Sequence, residues 1–155
     1  MRFFKFWGTE RSVILSMVLG FVLICTPFSV GAETKSKVKW FHNLEAGLKE
    51  ARKNNKWVFV DIGAVWCGPC QRLKKNVIAT ETVQNFLAKN FVNVELDADK
   101  EEVSLLLKQH GVQAIPCLMV FSPKGVLKSK FEGAPETAGA FVKKISSMVK
   151  GDGES

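Results

Sequence analysis

The chain has 155 residues, 46% of them apolar, and a formal charge of +7. That length suits a single domain with a real core. The lysines are scattered rather than gathered into a basic stripe interleaved with aromatics, which argues against nucleic-acid binding.

The N-terminus reads as a targeting segment. Arg2, Lys5 and Arg11 precede the uncharged run VILSMVLGFVLIC (13–25), Pro27 interrupts it, and Val30-Gly31-Ala32 offers small residues at the −3 and −1 positions of a cleavage site. Residues 1–32 therefore have the layout of a secretory signal peptide cut after Ala32. An uncleaved membrane anchor is the alternative, since 12–30 is nearly long enough to span a bilayer. A lipoprotein reading of Cys25 is disfavoured by the bulky Ile24 before it. Either main reading places the rest of the chain outside the cytoplasm, in a periplasmic or other extracytoplasmic compartment. Cleavage removes three basic side chains and one acid, lowering +7 to +5. Three cysteines then remain, Cys67, Cys70 and Cys117. An odd count in an oxidising compartment fits poorly with a purely structural disulfide framework.

Residues 33–39 form a polar, lysine-rich linker, and 40–149 a single domain before a polar tail, 150–155. Asn43 can cap a helix over LEAGLKEARKN, in which Leu44, Leu48 and Ala51 share a face. Residues 57–64 form a short, nearly all-apolar strand of the kind covered on both faces. QRLKKNVI (71–78) reads as helix, and Thr80 can cap a second segment ending near Asn90. A strand over 91–96 follows, then a helix over 101–110 stopped by Gly111. Strands over 117–121 and 126–131 are joined by the turn signal SPKG, and 136–150 is an amphipathic helix. Strand–helix–strand units imply parallel pairing, and the hairpin adds an antiparallel edge. The fold class is α/β, a central mixed β-sheet flanked by helices on both faces.

The chemistry sits in WCGPC (66–70). Cys67 falls where strand gives way to helix, so unpaired N–H groups and the helix dipole favour a thiolate, the nucleophile of thiol–disulfide exchange. Cys70 lies one turn on, on the same face, where the two sulfurs can close a disulfide. Pro69 suits a first helical turn, and Gly68 leaves the sulfur unobstructed. A structural zinc needs four ligands, and beyond this pair only Cys117, His42 and His110 are on offer, without a second paired spacing. A mere staple is also disfavoured, because closing so short a loop removes little unfolded-state entropy. A working dithiol is the reading that remains, needing neither metal nor cofactor.

VFVDIGAVWCGPC, GVQAIP and FEGA, in that order, make the chain resemble the thioredoxin superfamily over essentially all of 38–149. The opening from Trp40 to Cys67 is most similar to exported thioredoxin-like proteins, including the C-terminal domain of the membrane thiol reductant transporter. The resemblance implies a thioredoxin fold with Cys67 as the attacking and Cys70 as the resolving thiol. It makes Asp61 the buried acid that handles the Cys70 proton. Desolvation inside WVFVDIG independently raises that carboxyl's pKa, although a hydrogen-bonded structural acid is the plainer alternative. Pro116 matches the cis-proline facing the site, which lets the Ile115 backbone bond a substrate strand. Gly133 matches the glycine on the groove rim. Trp66 either flanks the sulfurs or simply packs.

Three departures stand out. Gly63 replaces a large aromatic, implying a more open site floor. The lysine that often partners the buried acid has no clear counterpart, and Asn93 and Glu95 stand nearby; an inward Glu95 would raise the Asp61 pKa by like-charge repulsion. Cys117 is either a small buried hydrophobe or an alternative partner for the active-site sulfurs. By resemblance the protein is an exported reductase of protein disulfides, acting as a monomer and drawing electrons from a membrane thiol transporter. The alternatives are a disulfide oxidase or isomerase, or a redox-inert binding or assembly module on the same fold.

Overall fold

The computed structural model describes residues 38–151. The expected signal segment, most of the expected linker and the end of the tail lie outside the described residues. A short strand β1 (Trp40–Phe41) leads into α1 (Leu44–Asn54), β2 (Trp57–Gly63) and α2 (Gly68–Arg72). A π-helical stretch (Leu73–Ile78) continues α2 directly. Then come α3 (Glu81–Asn90), β3 (Phe91–Asp97), α4 (Glu101–Gln109), β4 (Cys117–Phe121), β5 (Leu127–Glu132) and α5 (Ala138–Lys150).

The five strands form one sheet in the order β1-β3-β2-β4-β5. β1, β3 and β2 run parallel, and β4 and β5 are antiparallel. β2 is central, and every residue from Val58 to Gly63 is buried, which is why its sequence shows no polar alternation. Its two faces feed two cores. Phe59 packs with Leu73 and Val77 of the π-helical stretch, Leu87 of α3, and Phe141 and Ile145 of α5. Val58, Val60 and Ile62 pack with Ala51 of α1 and Val103 of α4. Phe59 anchors the first core through edge-on contacts with Trp40, Phe91 and Phe141 at 6.2, 6.3 and 5.6 Å between ring centres.

The expected helix and strand positions are largely observed, with local corrections. Asn43 does cap α1, accepting from the Ala46 N–H at 3.0 Å. Thr80 precedes α3 but does not cap it through its side chain. Its hydroxyl instead donates to the Val77 carbonyl at 2.6 Å. β1 carries too short a pattern to read from sequence and exists through its pairing with β3. QRLKKNVI is not a regular α-helix: the Ala79 N–H bonds back to Lys74 O at 3.0 Å, five residues earlier. That wider turn brings Leu73, Val77 and Ile78 together into the core. The SPKG turn is as read, with Gly125 at φ 87° and its N–H on Ser122 O at 2.9 Å.

Candidate active site

The turn after β2 is fixed at both ends. Ala98 N–H holds Gly63 O at 2.8 Å, and Cys67 N–H holds Ala64 O at 3.1 Å. This delivers Cys67 to the N-cap of α2, where its Sγ accepts from the Cys70 N–H at 3.2 Å. Cys67 and Cys70 are joined in a disulfide with Cα atoms 5.3 Å apart. Cys67 is 4% exposed and Cys70 1% exposed, so Cys67 is the sulfur nearer the surface. Gly68 and Pro69 are exposed beside it.

Cys67 Sγ lies 3.8 Å from the Ile115 carbonyl oxygen, and the Ile115–Pro116 bond is cis. The Gly133 N–H bonds Pro116 O at 2.8 Å, so Cys67, Ile115, Pro116 and Gly133 form one rim. Trp66 does not pack in the core: it is 68% exposed, and its indole N–H donates to both Asp99 carboxylate oxygens at 3.1 and 3.0 Å. Behind α2, Pro69 borders a groove of about 310 Å³ shared with Arg72, Asn76 and the Ala134–Glu136 turn.

Asp61 is 2% exposed, and its Oδ1 accepts no hydrogen bond. On β2 it shares a face with Gly63, roughly 7 Å along the strand. A Cβ added at Gly63 would lie 3.1 Å from Cys70 Cβ and 3.2 Å from its Sγ. The space left by the missing aromatic is thus filled by Cys70, and the expected open floor is corrected: α2 packs down onto the glycine. Burial, countered by the Lys74 ammonium and reinforced by the Glu95 carboxylate, pushes the Asp61 carboxyl up to about 6.

The lysine missing from the sequence reading is Lys74. It reaches from the π-helical stretch to ion-pair with Glu95, the β3 residue in register with Asp61. Its spacing of four from the buried Cys70 was the available signal. Asn93 is buried but donates only to the Leu87 and Phe91 carbonyls, each at 3.3 Å.

Cys117 is buried and unbridged. Its register with Ile62 turns it to the α1 and α4 face, away from the pocket where Cys67 and Cys70 pack with Ala64. That placement corrects the idea that it partners the active-site sulfurs. Burial also pushes its thiol up to about 12, so it carries little thiolate. His42 lies at the α1 end of a separate cavity lined by α1 and α4 residues, and His110 stacks edge-on against Phe121 at 6.4 Å.

A family model described as Thioredoxin-like matches residues 39–123. The chain belongs to the thioredoxin-like family. Thioredoxin-2 of Pyricularia oryzae is 29% identical over 110 residues, 70% of this chain and 57% of its own length. The thiol:disulfide interchange protein DsbD of Pectobacterium atrosepticum is 30% identical over 74 residues, 47% of this chain but 13% of its own. Among solved structures, a putative disulphide-isomerase from Bacteroides thetaiotaomicron is 32% identical with a TM-score of 0.64, covering 75% of this chain and 94% of that one. The oxidised C-terminal domain of Neisseria meningitidis DsbD shares the fold at 21% identity and TM-score 0.59, covering 70% and 98%. The chain thus spans little more than half of Thioredoxin-2 and a small part of DsbD. Its domain is a thioredoxin-like thiol:disulfide oxidoreductase with a Cys67–Cys70 couple.

Proposed function

We propose that the chain is an exported reductase of protein disulfides. One observation carries this reading: Cys67, the outer sulfur at the head of α2, lies beside the Ile115 carbonyl, while Cys70 packs on Gly63 and Asp61, on the same buried face of β2, has its carboxyl pushed up to about 6. In the reduced enzyme the Cys67 thiolate attacks one sulfur of a substrate disulfide. A mixed disulfide forms and the first substrate thiolate leaves. Asp61 takes the proton from the Cys70 thiol, whose thiolate attacks Cys67 Sγ and expels the second substrate thiolate. The products are one reduced substrate and the Cys67–Cys70 disulfide. Two electrons have moved, and the departing thiolates take up protons. The rim of Ile115, Pro116 and Gly133 receives the substrate strand, and exposed Trp66 widens the contact.

The Gly-Pro pair and the likeness to DsbD support reduction, and the layout of residues 1–32 supports export. Outside the membrane no soluble nicotinamide pool regenerates the dithiol, so a membrane thiol transporter is the proposed donor. The likeness to the Bacteroides protein favours isomerisation as the second reading. The Cys67–Cys70 reduction potential, set by equilibration with defined thiol buffers, decides between them. About 150 mV separates thioredoxin, near −270 mV, from a strong oxidant near −120 mV, equivalent to about 7 kcal/mol. A value near the thioredoxin end supports the reductase, and one about a hundred millivolts higher replaces it with oxidation or isomerisation.

A further inference from the structure

The loop from His110 to Pro116 joins α4 to β4 and has no regular structure. Its first turn is closed locally, by Gly111 N–H on Lys108 O at 3.1 Å and Val112 N–H on Leu107 O at 2.9 Å. Beyond that turn the hydrogen bonds that hold the loop among the described residues come from the end of β5. The Gln113 and Ala114 N–H groups both donate to Glu132 Oε2 at 2.9 Å. Lys130 Nζ donates to Glu132 Oε1 at 3.0 Å and to Gly111 O at 3.1 Å. Gly133 N–H closes the clamp on Pro116 O at 2.8 Å. Among the described residues, Ile115 alone in this stretch keeps an N–H with no intramolecular acceptor, and its carbonyl lies beside Cys67 Sγ.

We propose that Glu132, steadied by Lys130, is a positioning residue for substrate capture: it fixes the Gln113–Ala114 backbone so that Ile115 presents its N–H and C=O to an extended, disulfide-bearing peptide. Two adjacent N–H groups on one carboxylate oxygen make a charge-assisted bracket, stronger than neutral bonds and directional enough to set a peptide plane. Without it, the Gln113–Ala114 backbone would have no hydrogen bond to hold it, and Ile115 would be held by side-chain packing on Cys67 and Cys70. A strand-addition contact would then have to order that backbone at the moment of binding. The two N–H groups and the Lys130 ammonium hold the Glu132 carboxyl below its ordinary range, so the bracket stays charged at neutral pH.

This inference rests on the oxidoreductase reading, and its test keeps the two apart. Full-length wild type, Glu132→Ala and Glu132→Gln are compared on two substrates, a disulfide-bridged peptide and 2-hydroxyethyl disulfide, which is too small to pair with Ile115. In Glu132→Ala, kcat/KM for the peptide falls about tenfold, mostly through KM, in line with the loss of bonds to a charged acceptor. Turnover of the small disulfide stays within about twofold, since the bracket does not touch the sulfurs. Glu132→Gln, which keeps an acceptor oxygen, recovers most of the peptide activity. Amide exchange at Gln113 and Ala114 quickens in the Ala variant while the β2 core amides stay protected. Equal losses on both substrates, or an unchanged peptide KM, overturn the proposal. A wild type inert toward both disulfides overturns the oxidoreductase reading instead.

Discussion

Asp61→Asn removes a charge from the core while keeping the side chain's shape, and the structure sets the expected sign and size. Folding raises the Asp61 carboxyl from 3.8 to about 6, with burial the main cause. Between those values the folded protein holds a proton that the unfolded chain has released. Stability contributed by this group is therefore complete below the unfolded pKa and is lost as pH rises through about 6. Two pH units and a little more, at about 1.4 kcal/mol each, amount to about 3 kcal/mol. An Asn at 61 does not titrate. Its own buried amide takes back part of the gain, so the variant should be more stable than wild type by about 2–3 kcal/mol at pH 8. The difference should shrink steadily below pH 6 and level off near pH 4. Urea unfolding of the oxidised proteins across that range measures it directly. A difference that stays constant from pH 4 to 8 would refute the assignment of the effect to an ionised, desolvated carboxylate. In the same variant, resolution of the mixed disulfide by Cys70 should slow, and its rise with pH through about 6 should vanish.

The Lys74–Glu95 pair acts on the same group from outside. Lys74→Met should move the pH inflection of resolution upward and Glu95→Gln should move it downward. Each substitution should change stability by less than about 1 kcal/mol, because both side chains are partly exposed. Gly47→Ala should destabilise by about 1 kcal/mol in thermal unfolding despite a better helix former, because the new Cβ collides with Val94 Cγ2 where α1 meets β3. A second substitution, Val94→Ala, should cancel the collision and make the pair less damaging than the two costs added. After reduction, alkylation at pH 8 followed by peptide mass mapping should modify Cys67 in the native domain. Cys117 should react only after unfolding, since it is buried and its thiol is pushed up to about 12.

The couple and its local setting were legible in the chain because both depend on short-range order. A buried apolar strand, a tight turn and a helix first turn place Cys67 and Cys70 one turn apart, and WCGPC spells that geometry in five residues. Ile-Pro and Phe-Glu-Gly-Ala could be recognised as motifs. Their meeting with Cys67 required β4 to pair with β2, and β5 with β4. Cys117 shows what alternation alone leaves open: its neighbours in sequence lie at the site, yet its register with Ile62 turns it to the other face. For Lys74 the spacing from Cys70 was the one local signal, and its pairing with Glu95 rests on the π-helical stretch that packs Leu73, Val77 and Ile78 into one core. Glu132 lies within Phe-Glu-Gly-Ala, yet nothing in the pattern told what its carboxylate holds. Its partners are two backbone N–H groups eighteen and nineteen residues earlier, and backbone groups carry no sequence signature. The sequence by itself thus determined the reactive pair and the layers around it. Tertiary packing alone decided which charges face Asp61 and what holds Ile115, because those contacts join residues that no local pattern relates.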